Sequence, residues 1–167
     1  MIGAGTYVPS VGKWQKDSEG TARVFSLNPT ISWSSKFNIY SEQYFCPMIA
    51  FSYHLGLEDE YTKSTLFVLY DFGWRIRDEL FLRYGLGTYI TRIGGDGESA
   101  SLNNGTGMQT FYAPEAAANS FQTTLNLGME YYFHPSLSLQ SELSYFNFLS
   151  EKQKSFAYLL QVNFSLF

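Results

Sequence analysis

The chain carries a single cysteine in 167 residues, so Cys46 can close no internal disulfide and supply no cysteine-rich zinc site. Two histidines are too few for a convincing metal cluster, and neither a metal nor any other cofactor is expected. Lys and Arg number 11 against 15 acids, and no basic run exists that could track phosphates, which removes nucleic acid as a partner. Charge of either sign is scarce. Charged residues make up 16% of the chain, where a soluble domain carries ~25%. Long apolar runs are absent too. The longest, residues 44–51, is interrupted by Pro47 and falls far short of the ~18 residues a membrane-crossing helix needs. Met1 is followed by neither a positive segment nor an apolar one of the kind that heads an export signal. The expectation is a mature chain whose signal has been removed, or one truncated at its start.

What the chain has is aromatic residues, 19% of the total, and strict alternation. From 121 to 133, Phe121, Thr123, Leu125, Leu127, Met129, Tyr131 and Phe133 alternate with Gln122, Thr124, Asn126, Gly128, Glu130 and Tyr132. After His134-Pro135-Ser136, Leu137, Leu139, Ser141, Leu143 and Tyr145 alternate with Ser138, Gln140, Glu142 and Ser144. A period of two over this length means extended strands with one apolar and one polar face.

The same pattern recurs along the chain. A weak first strand covers 2–9, and a plain second one covers 25–34, where Pro29 removes a ladder donor and predicts a bulge or an unpaired spot. Further strands are read at 49–57, 66–75, 80–90 and 156–166. Residues 35–48 fit no simple hairpin and are read as a bulged extension or an irregular turn. The stretch 10–21 is a solvated loop. Residues 93–120, rich in Gly, Asn, Ser and Ala, are read as an exposed loop with little internal structure. The whole of 1–167 is one domain.

The two faces are occupied in an unusual way. No charge falls within the apolar face, whereas Asp71, Arg75, Arg83, Glu130 and Glu142 all fall on the other. That polar face is otherwise Gly, Ser, Thr, Asn and Gln with few Lys, the composition of a tight polar interior rather than of a wet surface. The apolar face ends in aromatics, with Trp33, Trp74, Tyr131 and Phe133 toward one rim and Phe25, Tyr53, Phe121, Tyr145 and Phe156 toward the other. Two aromatic belts flanking Leu, Ile and Val are the interfacial signature of a transmembrane barrel. The expected fold is therefore all-β, a closed antiparallel up-and-down barrel of eight strands with lipid outside. Short turns and longer connections alternate, which assigns the turns and both termini to the periplasm.

The strand Tyr84-Gly85-Leu86-Gly87-Thr88-Tyr89 and the ending Gln161-Val162-Asn163-Phe164-Ser165-Leu166-Phe167 resemble those of the eight-stranded outer-membrane barrels of the OmpA and OmpX type. The resemblance covers essentially the full length. It implies residence in the bacterial outer membrane, contact with outer-membrane lipid, and handling by the barrel-assembly machinery, whose signal the terminal Phe resembles. Phe167 departs from the pattern, since the apolar series lands on Leu166 one residue earlier.

Chemistry is sparse. A barrel of eight strands has an interior about wide enough to be filled by side chains. Buried charges need partners, so Arg75 and Arg83 are expected to pair with Asp71, Glu130 and Glu142 as a structural plug, with a gate or ion path as the functional alternative. Phe67, Leu69, Tyr89, Phe146 and Leu159 line the other half of the lumen as an ordinary stopper or, alternatively, a cup for an apolar or lipid ligand. His54 lies two residues from Ser52 on one face, but any His in a Ser-rich lumen would find such a neighbour, and no catalytic residue is assigned. The function expected is non-enzymatic, structural or interactive, with self-association in the membrane. The alternatives are a small channel or apolar-ligand barrel, and a lipid-modifying enzyme.

Overall fold

The computed structural model describes residues 1–9, 15–16, 22–23, 27–54, 61–95, 97, 99–103, 108–112, 117–149 and 154–165. The strands are β1 (Ile2–Val8), β2 (Gln15–Lys16), β3 (Ala22–Arg23), β4 (Asn28–Ser34), β5 (Phe37–Tyr40), β6 (Gln43–Tyr53), β7 (Tyr61–Arg77), β8 (Leu80–Gly95), β9 (Ser99–Asn103), β10 (Met108–Tyr112), β11 (Ala118–His134), β12 (Leu137–Phe146) and β13 (Ser155–Phe164). Each large strand pairs antiparallel with its neighbours in the order β4-β1-β13-β12-β11-β8-β7-β6, and a β4–β6 ladder closes the ring. β4 and β5 form one barrel strand interrupted at Ser35–Lys36, since both pair with β6. The result is a closed barrel of eight strands.

The closure is staggered. From Leu137 the paired residues run Phe164, Ile2, Trp33, Ile49, Val68, Thr88 and Thr123, and the Thr123 carbonyl then accepts the amide of Asn147, ten residues further along β12. Such stagger tilts the strands and leaves an interior that side chains can fill.

The faces are distributed as the alternation predicts. Leu127 is 57% exposed and Leu125 41%, whereas Asn126 between them is 4% exposed. Burial alternates residue by residue along β4 and along β12. Apolar side chains thus form the outer surface and small polar ones the packed centre. Glycine makes close interior approaches workable. A Cβ at Gly85 would collide with the Tyr70 carbonyl and the Asp71 carboxylate.

Several local expectations are corrected. Residues 35–48 do hold a bulged extension, since β5 continues β4 along β6 with a register shift between Asn38 and Tyr40, but they also close a hairpin, in which β5 and β6 join through a two-residue turn at Ser41–Glu42. Tyr44, Phe45, Cys46 and Met48 already alternate within β6, so that strand starts at Gln43 rather than at 49; positions 55–57 lie outside the described residues. The 93–120 stretch is not structureless, since β8 runs to Gly95, β9 and β10 pair as a separate hairpin, and β11 begins at Ala118. β2 and β3 likewise pair within the first connection. At Pro29 the ladder to β1 runs through without a register shift, while pairing to β6 begins at Thr30. The missing donor is accommodated where that second ladder ends.

Candidate functional site

The lumen divides into a charged half near the short turns and a ring-packed half near the long connections. Arg83 on β8 lies at the centre of the first, 2% exposed, and its neighbours Asp71, Glu130 and Glu142 are at 0–1%. Its Nη2 donates to Asp71 Oδ2 at 3.2 Å, its Nη1 to Glu130 Oε2 at 3.3 Å, and its Nε lies 3.8 Å from Glu142 Oε2. One guanidinium therefore ties together carboxylates from β7, β11 and β12, which its fork of donors permits and a lysine's point charge would not.

Amides and hydroxyls complete the layer. Ser138 Oγ donates to Glu130 Oε1 at 2.7 Å, Asn126 Nδ2 to Asp71 Oδ1 at 3.2 Å, and Gln140 Nε2 to Glu142 Oε2 at 2.9 Å. Gln161 and Asn163 both donate to Gln140 Oε1, and Ser32 Oγ donates to Gln161 Oε1. The chain of bonds crosses the barrel from β4 to β7.

Arg75 does not join this network. Its Nε donates to Glu42 Oε2 at 2.7 Å and its Nη2 to Glu42 Oε1 at 3.2 Å, in an exposed pair at the turn-side rim. Arg75 is still in register with Phe81, but it is the last residue of β7 before the register shifts toward Arg77, so its side chain stands at the rim within reach of Glu42. The Arg75 guanidinium holds the Glu42 carboxyl below its ordinary range.

The cation that takes the place expected for Arg75 is Lys36. It stands at the β4–β5 break, and its Nζ donates to Tyr132 Oη at 2.8 Å and lies 3.5 Å from Glu130 Oε2. The same nitrogen stands 3.8 Å from the Phe81 ring centroid, 4.5 Å from Tyr132 and 5.7 Å from Tyr44. On the outer side of this cage an open cleft of about 620 Å³ is lined by Lys36, Tyr44, Phe81, Tyr132, Asp78 and Glu79, among others. Sequence reasoning missed Lys36 because residues 35–48 were set aside as irregular, although position 36 continues the inward parity of 30, 32 and 34. The available signal was position, since the other lysines, 13, 16, 63, 152 and 154, fall in or beside the long connections.

Toward the long connections, Phe67, Leu69, Tyr89, Phe146 and Leu159 come together with Tyr7, Met48, Ala50 and Ala157. The rings meet edge to face, with Tyr7–Phe67 centroids at 4.8 Å, Phe67–Tyr89 at 4.4 Å and Tyr89–Phe146 at 4.5 Å, the geometry their quadrupoles favour. Tyr89 Oη bonds to Ser144 Oγ at 2.7 Å, which satisfies its polar end. Above this layer, just past the end of β6, His54 Nε2 bonds to Thr65 Oγ1 at 2.7 Å. Ser52 Oγ instead donates to the Pro29 carbonyl, so each of the two is engaged elsewhere rather than as a nucleophile–base pair. Burial, and secondarily Lys63, lowers the His54 pKa to about 4.

Outside, Trp33, Trp74, Tyr131 and Phe133 are exposed around the turn-side rim, and Tyr53, Phe121 and Phe156 toward the other. Tyr145 is half-buried and stacks on Phe156 at 4.8 Å. Phe25 lies outside the described residues, as do Leu166 and Phe167.

A closed eight-stranded antiparallel sheet with apolar side chains outward and a hydrogen-bonded polar interior is the architecture of the small outer-membrane barrels. Among solved structures, the chain is similar to Ail, the attachment invasion locus protein of Yersinia pestis, with a TM-score of 0.55 and 14% identity over 98% of this chain and 95% of that one. It is also similar to Neisserial surface protein A, with a TM-score of 0.52, 13% identity, and 98% and 93% of the two chains covered. The structure of Ail in a phospholipid bilayer nanodisc gives 0.50 and 12%, over 98% of this chain and 99% of that one. No protein-family model matches the chain, and no curated protein does.

Proposed function

We propose that the protein is an integral barrel of the bacterial outer membrane with a structural or interaction role, and that it is not an enzyme. The observation that carries this reading is the inversion of the faces. Leu127, Ile31 and Leu86 are 54–60% exposed while Arg83, Asp71, Glu130 and Glu142 are at most 2% exposed, an arrangement that water on the outside would penalise at every strand. The short turns and both termini face the periplasm, the long connections face outward, and folding into the membrane passes through the barrel-assembly machinery. The lumen is plugged in two layers, by the Arg83 network and by the rings around Tyr89. Those contacts leave the long connections, with the β9–β10 hairpin, as the surface that meets partners. Self-association through the lipid-facing sheet belongs to the same reading.

Planar-bilayer recording tests the plug directly. Purified protein inserted at high density is expected to leave the membrane at its baseline conductance. Persistent unitary steps would replace the plug with the channel reading.

A further inference from the structure

At the turn-side end of the lumen one flexible side chain, Lys36, is set among aromatic rings. Three aromatic rings come from different strands, and Phe81 on β8 meets both Tyr44 on β6 and Tyr132 on β11 edge to face, with centroids at 5.6 Å and 5.5 Å. They form a wall around the Lys36 nitrogen, and Glu130 supplies a carboxylate at its inner side. A ring wall with an anion at its base is the recognition chemistry of an ammonium group. Outward the wall opens into the 620 Å³ cleft, and inward lies the Arg83 network with Cys46, which pairs with Asp71 across the β6–β7 ladder.

Lys36 reaches this cage by parity, since Ser32 and Ser34 point inward and Lys36 lies two residues further along the same barrel strand, whereas Ile31 and Trp33 point outward. The ladder to β6 is carried past it, with the Ser35 amide donating to the Pro47 carbonyl and Phe37 paired with Phe45.

We propose that the turn-side mouth is an ammonium-binding cage in which Lys36 is the tethered ligand, and that this side chain is the removable closure between the outer cleft and the lumen charge network. The ligand class is a primary alkylammonium. The inference rests on the reading of the lumen as plugged, and the two fail separately. Loss of the plug shows as conductance of the unaltered protein, whereas closure by Lys36 is read at Cys46.

Cys46 is 1% exposed and is the chain's single thiol, so it reports on the mouth without any introduced label. In the folded barrel in detergent micelles, a small methanethiosulfonate reagent is expected to leave Cys46 unmodified. In Lys36→Ala the labelling rate is expected to rise at least tenfold, and millimolar ethylammonium to restore protection while ethanol at the same concentration does not. Lys36→Gln, which keeps most of the stem and removes the charge, is measured beside it in case the alanine variant fails to fold. Phe81→Leu, which retains Lys36 and removes one ring, is expected to label at an intermediate rate. Folded Lys36 variants that label as slowly as the unaltered protein, or protection by ethanol equal to that by ethylammonium, overturn the proposal.

Discussion

Arg83 illustrates how much one side chain can hold in a dry interior. Its guanidinium meets carboxylates from three strands, and removing one partner of a buried ion pair is costly chiefly because the other charge remains unpaired. Arg83→Leu is accordingly expected to destabilise the barrel by about 3–5 kcal/mol, read as a lower midpoint in denaturant titrations of micelle-embedded protein. Arg83→Lys is expected to recover only part of that loss, since a lysine cannot reach three carboxylates from one planar fork. His54 makes the matching statement about pH. Its folded-state pKa lies near 4 against an ordinary 6.5, because burial disfavours the charged ring. The neutral ring's contribution is therefore fully present above pH 6.5 and is lost as pH falls from there toward 4. Unfolding midpoints measured across that interval should decline with acidification, and His54→Gln should flatten the part of the decline that belongs to this ring. Residue parity was legible for Arg83, Asp71, Glu130 and Glu142 because alternation alone sets which face a strand residue takes. Arg75 shares that parity yet escapes the lumen, because parity says nothing about a register shift at the rim or about a Glu42 waiting across the turn.

At the scale of the element, glycines and breaks decide what the ladders allow. Gly85 passes beside Tyr70 and Asp71 with no room for a methyl group. Gly85→Ala should push β7 and β8 apart where the Arg83–Asp71 pair forms, and lower the stability read from denaturant titration by about 1–3 kcal/mol, the usual effect of overpacking a tight interior. The same substitution at Gly73, whose Cβ would meet Cys46 Sγ at 3.2 Å, should cost less, since a side chain there can shift. The strands with clean alternation, β8, β11 and β12, were readable almost to their ends. The β5–β6 hairpin was not, because Pro47 and the turn at Ser41–Glu42 interrupt the period that strand recognition depends on. The β9–β10 pair was hidden for a different reason. Its strands are five residues each, too short to establish a period of two, and they lie in a stretch otherwise rich in Gly, Asn, Ser and Ala.

For the whole molecule, the arrangement of surfaces matters more than any single contact. The alternation, the sparse charge and the aromatic belts were all visible in the sequence, because a barrel of this size obliges every strand to show lipid one face and packed side chains the other. The division of the lumen into a charged layer and a ring layer was also legible, whereas the cage at the turn-side mouth was not, since it depends on Tyr44, Phe81 and Tyr132 being brought together from distant parts of the chain. The most direct test of the orientation is quenching by lipids spin-labelled along the acyl chain. A single fluorophore is attached in turn at Leu127→Cys, Val162→Cys, Asn126→Cys and Gln161→Cys, with Cys46 replaced by Ser throughout. Strong quenching by mid-chain labels is predicted at 127 and 162, and weak quenching at 126 and 161. Equal quenching at all four, or the reverse order, would contradict that orientation.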